Sequence, residues 1–131
     1  MKFSLQNQTQ TQAPESLFTE ILDRVDKRGK VLELLLTDNA EIQKLNKKYR
    51  KKDEPTDVLS FPLDDPNLLG QIVISVDRAK QQAIELNQPL SEELKFLFAH
   101  GLLHLLGHDH QNPEEEKIML AKTYEILNRK K

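Results

Sequence analysis

All four histidines of the 131-residue chain fall within His100-Gly101-Leu102-Leu103-His104-Leu105-Leu106-Gly107-His108-Asp109-His110. If the segment is helical through Leu106, His100 and His104 lie one turn apart on one face, where two imidazoles can converge on a single ion. Gly107 then lets the helix stop in a left-handed turn, so that His110 can swing back toward the first two rings. The offsets follow H-x-x-x-H-x-x-G-x-x-H, the spacing of metzincin-type zinc sites. A single histidine on an apolar helix is more often a hydrogen-bonded core residue than a ligand. A cluster reads differently, because an imidazole nitrogen buried among leucines without a partner costs on the order of 1–3 kcal/mol. The sequence therefore predicts one zinc ion per chain, held by His100, His104 and His110. Three protein ligands leave a fourth position open for water, the arrangement of a catalytic site. His108 and Asp109 sit beside the third ligand in a short turn, where convergence of all of them is hard. They are expected behind the ligands or facing substrate, with Asp109 orienting an imidazole; simple turn chemistry is the alternative for each.

Gly101 narrows the chemistry. Zinc peptidases of the H-E-x-x-H type carry their general base at this position, and here it holds no carboxylate. Peptide hydrolysis would need a displaced base such as Asp109 or Glu114. A phosphodiester instead needs a Lewis acid, an activated water and cationic stabilisation of developing charge, with no fixed requirement for that glutamate. Cations are at hand in Lys44, Lys47, Lys48, Arg50, Lys51 and Lys52. Their alternative reading is a solvated helix end whose charges complement the helix dipole.

The bulk properties bound these readings. A chain of 131 residues fits one domain, 1–131, with one core. The absence of cysteine leaves histidine and carboxylate as the zinc donors. A net charge of −2 argues against a globally basic nucleic-acid binder, so any such site must be local. Met1 to Gln12, with Phe3 and Leu5 alternating and then polar residues, lacks the apolar core of a signal peptide, and no apolar run approaches the roughly 20 residues of a membrane span. A soluble, cytoplasmic protein is expected.

The elements that must position the histidines read as follows. Phe3 and Leu5 alternate in a short strand. Pro14 suits a first helical position, and Leu17, Phe18, Ile21, Leu22 and Val25 repeat at helical spacing up to Gly29. Val31 to Thr37 is a buried strand. Asp38 and Glu41 form a capping pair for a second helix through Ile42, Leu45 and Tyr49, which carries the basic run on its last turns. Asp57 to Phe61 alternates as a strand stopped by Pro62, suited to a sheet edge. The β-branched run 71–76 belongs near the sheet centre. Ser75 or Asp77 caps a third helix, Ser91 a fourth that carries His100 and His104, and Asn112 a fifth that ends in Arg129, Lys130 and Lys131. Met119, in that last helix, is expected to be an ordinary core methionine. The fold expected is α+β, a mixed sheet of about four strands packed with about five helices, with the zinc site at the end of a buried central helix.

The segment His100 to His110, together with Leu45-Asn46-Lys47-Lys48-Tyr49-Arg50 and Pro55-Thr56-Asp57-Val58-Leu59-Ser60-Phe61, resembles the YbeY family of ribosomal RNA maturation factors. The resemblance runs from about Leu32 through the last helix. It implies a single-domain α+β fold, zinc on His100, His104 and His110, and a single-strand-specific endoribonuclease acting in ribosomal RNA maturation and ribosome quality control. Arg50 matches the family's arginine. The catalytic residues expected are thus Arg50 and His100, with Lys47, Lys48, Lys51 and Lys52 holding the RNA backbone and the small ribosomal subunit or its assembly factors as partners. Two positions depart from the family pattern, which usually has tyrosine at His108 and commonly aspartate at Gln71. A zinc-stabilised assembly or RNA-binding factor without intrinsic cleavage is the second reading, and a metallopeptidase the third.

Overall fold

Leu32, Leu34 and Leu36 alternate with polar or oppositely facing neighbours, and so do Ile72 and Ile74, the pattern of strands that must bury one face. A computed structural model describes residues 2–24, 31–62, 68–107 and 112–127. Over these residues the elements run β1 (Lys2–Asn7), α1 (Ser16–Leu22), β2 (Val31–Thr37), α2 (Asn39–Arg50), β3 (Val58–Pro62), β4 (Leu68–Ser75), α3 (Val76–Glu85), α4 (Leu90–Leu105) and α5 (Pro113–Ile126). The four strands form one sheet in the order β1-β2-β4-β3. β1, β2 and β4 are parallel neighbours, and β3 runs antiparallel to β4 with Leu59 opposite Val73 and Ser60 opposite Ile72. The architecture is the α+β mixed sheet with five helices that the sequence predicts, with β4 inside the sheet and β3 at its edge.

Both faces of the sheet are covered, and by different helices. Leu32, Leu34, Leu36, Ile72 and Ile74 pack with Phe18, Ile21 and Leu22 of α1, Val76 and Ala79 of α3, and Leu94, Leu97, Phe98 and Leu102 of α4 in the main core. Leu35, Leu59 and Val73 point the other way and meet Ile42 of α2, with Leu45 and Phe61 at the margin. α2 and α4 therefore lie on opposite faces of the sheet, separated at the edge only by β3. α4 is buried on several sides, as its leucines on more than one face require. Met119 is buried, a core methionine.

The caps explain most helix starts. Asp38 Oδ1 accepts from Glu41 N at 2.8 Å, Ser75 Oγ from Arg78 N at 3.2 Å, and Asn112 Oδ1 from Glu115 N at 2.9 Å. α4 differs from expectation: it begins at Leu90 behind Pro89, with no side-chain cap, so Ser91 lies inside the helix. Proline's fixed φ and missing N–H suit a helix start, which moves the boundary upstream of the serine. α1 is also shorter than its apolar periodicity suggests. It starts after Pro14 and turns off at Asp23, whose N–H bonds to the Thr19 carbonyl; Arg24 N bonds to the Ile21 carbonyl and its Nη1 donates to the Ile126 carbonyl at 2.8 Å. The rest of the expected helix to Gly29, and the basic end at 129–131, lie outside the described residues. Among the described residues no helix is long and apolar enough to cross a membrane.

Phe98 is completely buried, with its ring edge-on to Phe18 at 5.1 Å and to Phe3 at 5.8 Å. Phe98→Ala should destabilise the fold by about 3–5 kcal/mol, measured as a fall in the urea midpoint with little change in slope.

Candidate active site

α4 carries the histidines across the sheet, and Gly101 decides how closely. A Cβ at this position would sit 3.0 Å from Ser60 Oγ and 3.1 Å from Ile72 Cγ2. Gly101 is thus the point where helix backbone meets β3 and β4, and Ser60 Oγ donates to its carbonyl at 3.1 Å. The missing glutamate has a steric reason: a side chain at 101 points into the sheet, so no base could project from there into a cleft. This same contact places the flanking turn of α4 beside the edge strand.

His100 and His104 stand together on that turn, both half-buried. Their ring centroids are 5.0 Å apart and the planes nearly perpendicular at 79°. His100 also stacks on Phe96, with centroids 6.3 Å apart and planes 16° apart, and Phe96 leans on Tyr124 of α5. The aromatic contacts orient the first imidazole from behind, and its Nδ1 is buried without a hydrogen bond among the described residues. Gly107 adopts φ +100°, inside the left-handed region that favours glycine. The helix therefore stops as the spacing predicts, in a turn. His108, Asp109 and His110 lie outside the described residues. Among the described residues no group of three or more histidine, cysteine or acidic side chains gathers, so the structure brings two of the three expected ligands together. Two neutral imidazoles one turn apart are a donor set that suits zinc, and His100 and His104 fit it.

Arg50 occupies a different wall. It ends α2, where Lys51 takes a left-handed cap at φ 58° and sends the chain back along the helix. Asn46 is buried and donates from Nδ2 to the Glu54 carbonyl at 3.0 Å, and Gln43 Nε2 donates to Asp53 Oδ1 at 3.0 Å. These bonds clamp residues 51–57 to α2 and create a cleft of about 310 Å³ between that loop, the end of α2 and the start of α3. Asn46, Arg50, Lys52, Asp57, Arg78 and Gln82 are among its lining residues. The Asp57 carboxylate is held inside it: Oδ1 accepts from Val58 N at 2.8 Å and Oδ2 from Gln82 Nε2 at 3.3 Å.

The structure thus separates residues that the sequence reading grouped. Arg50 and Lys52 share the cleft, whereas exposed Lys47 faces Asp53 at 3.8 Å and Lys48 lies 5.2 Å from the Tyr49 ring centroid. The backbone of Lys51 makes the turn, and its side chain is exposed. Gln71 is half-buried on β4 opposite Phe61. Sequence reasoning missed Arg78 and Gln82. Their signal was positional, since α3 starts directly at the carboxyl end of β4, the edge of a sheet where ligand-binding groups collect.

A mixed sheet with a histidine-bearing helix on one face and a cationic cleft at its edge defines a class of α+β proteins suited to an anionic substrate. The model of the family described as Endoribonuclease YbeY matches residues 2–131. The protein of that name from Bacillus licheniformis is 49% identical, in a match covering 77% of this chain and 72% of that one. The one from Acholeplasma laidlawii is 45% identical over 88% of this chain and 82% of its own. A Thermotoga maritima protein solved in solution has a similar fold, with a TM-score of 0.61 at 24% identity, covering 96% of this chain and 89% of its own. The chain belongs to the Endoribonuclease YbeY family.

Gly101→Glu should therefore not create a peptidase. It should bury an uncompensated carboxylate against Ile72 and destabilise the protein by on the order of 3–5 kcal/mol, more than Gly101→Ala does, as read from paired thermal or urea melts.

Proposed function

We propose that this chain is a single domain, 1–131, that cleaves single-stranded RNA in ribosomal RNA maturation and ribosome quality control in the cytoplasm, with zinc as its metal. A member of this family is an enzyme, a hydrolase acting on RNA. The observation that carries the finer reading is the placing of His100 and His104 beside edge strand β3, with Arg50 around the same edge.

His100, His104 and His110 would hold the zinc. When bound, it supplies Lewis acidity toward a phosphoryl oxygen and makes water more acidic. The protein's own groups do the rest. Phe96 and the Ser60–Gly101 bond keep the His100 turn in one orientation, so little reorganisation is needed on substrate binding. Arg50 offers a planar, permanently charged fork to the phosphate and stabilises charge that develops there. Lys52 adds charge in the cleft, and Lys47, Lys48 and Lys51 hold the approaching backbone by long-range attraction. His108 and Asp109 would stand behind the ligands or face the substrate, with Asp109 orienting an imidazole. A single strand threads past an edge where a duplex would meet both helix-covered faces. The small ribosomal subunit or its assembly factors would deliver that strand.

Arg50→Ala should lower cleavage of single-stranded RNA by about 100-fold while leaving the melting temperature within a few degrees, because Arg50 is exposed. Full activity in a folded Arg50→Ala protein would remove the arginine from the mechanism. Chelation should abolish cleavage yet leave the protein folded by circular dichroism, because the main core packs without the histidines. Unfolding on chelation would instead favour an assembly factor with a structural metal.

A further inference from the structure

The cleft at the carboxyl end of β4 holds more positive charge than one catalytic arginine needs. Arg50 and Lys52 line one side, and half-buried Arg78, from the first turn of α3, lines the other. Among the described residues neither guanidinium is held by a carboxylate. The Asp57 carboxylate, which shares the cleft, is satisfied by Val58 N and Gln82 Nε2. Glu54 is the one further acid in the lining, and it is exposed. Two arginines brought into one polar recess with their charges uncommitted form a binding surface for phosphate oxygens, which guanidinium matches in a bidentate fork.

The recess is also removed from the histidines. Asp57 lines it, whereas the histidine turn touches β3 at Ser60, three residues further on and so roughly 10 Å along the strand. Arg78 can therefore hold one phosphate of a strand while Arg50, exposed at the end of α2, serves the one being cut. We propose that the cleft is a phosphate subsite for a single RNA strand, in which Arg78 grips a phosphodiester other than the one being cut. The subsite rests on the reading of the protein as an RNA-cleaving enzyme. Arg78 is a binding residue in it, and its work is to fix which stretch of a long strand reaches the histidines.

The side chain can be removed without disturbing the fold. The Ser75 cap uses the backbone N–H of Arg78, not its guanidinium. The test uses the full-length, metal-loaded protein and a fluorescein-labelled ten-nucleotide single-stranded RNA, with anisotropy read after rapid mixing and before turnover. Arg78→Ala should weaken binding by about tenfold and reduce the slope of log affinity against log salt by about 0.7, the value for one phosphate contact on a single strand. It should raise KM while kcat stays near wild type. Lys80→Ala, an exposed cation on the same helix outside the cleft, removes the same charge and should change neither affinity nor slope. Arg78→Lys should keep the slope and lose part of the affinity. Oligomers with 5′-hydroxyl and 5′-phosphate ends separate two sources of the phosphate. An equal loss on both assigns the cleft to the internal backbone, and a loss confined to the phosphorylated oligomer assigns it to a strand end. Wild-type RNA binding that Arg78→Ala leaves unchanged in affinity and slope overturns the subsite alone. No binding or cleavage of RNA by the wild type overturns the functional reading as well.

Discussion

The site depends on the approach of α4 to the sheet at Gly101. Helix backbone lies against Ser60 and Ile72 there because no Cβ intervenes. The loss in helix propensity, about 1 kcal/mol for glycine against alanine, is offset by the packing of Phe98, Leu102 and Leu97 that the approach permits. Two consequences share this one contact. Helix backbone and sheet meet at contact distance there, and the histidines on either side of the glycine are delivered to the edge strand rather than to the middle of a face. Stability and the placing of the histidines are coupled through a residue buried between helix and sheet.

The edge position of β3 links the two halves of the site. An interior strand would have kept α2 and α4 on faces separated by the full width of the sheet. At the edge, the same residues reverse sides within one step: Leu59 faces Ile42 of α2, and Ser60 faces Gly101 of α4. The alternation of a β-strand thereby hands one neighbour to the arginine helix and the next to the histidine helix. Pro62 ends the strand, and proline has no ladder hydrogen bond to donate, which limits extension of the sheet from this side.

The elements were legible in the sequence wherever the signal was local. Val31–Thr37, the Asp38, Ser75 and Asn112 caps, and the edge character of β3 follow from periodicity, cap chemistry and proline placement, all set by residues within a few positions of one another. The pairing of His100 with His104 and the left-handed turn at Gly107 follow for the same reason. Spatial grouping was not legible. Arg78 and Gln82 join Arg50 only through the crossover from β4 into α3, and Asn46 is recruited by a loop that doubles back after Lys51. The lysine run looked like one surface in sequence, yet the chain reversal at Lys51 separates its members. Gly101 was read correctly as lacking a base, but its packing role needs the sheet to be seen.

The corner where α2 and α3 begin is stitched by short polar bonds. Ser75 Oγ donates to Asn39 Oδ1 at 2.7 Å, Asn39 N donates to Asp77 Oδ2 at 3.0 Å, and Ser75 N donates to the Asp57 carbonyl at 2.9 Å. The two helices that wall the cleft and the strand between them are thus fastened at one point, like the jaws of a vice set to a fixed gap. On the proposed reading, a strand entering this gap would meet groups already in place, so association would forfeit little conformational freedom of the protein and the ordering cost would fall on the RNA. Unpaired RNA would pay only its own ordering to fit the fixed spacing, whereas structured RNA would have to melt as well. Selection among RNAs would then arise from the mechanics of the ligand, with no base needing to be read.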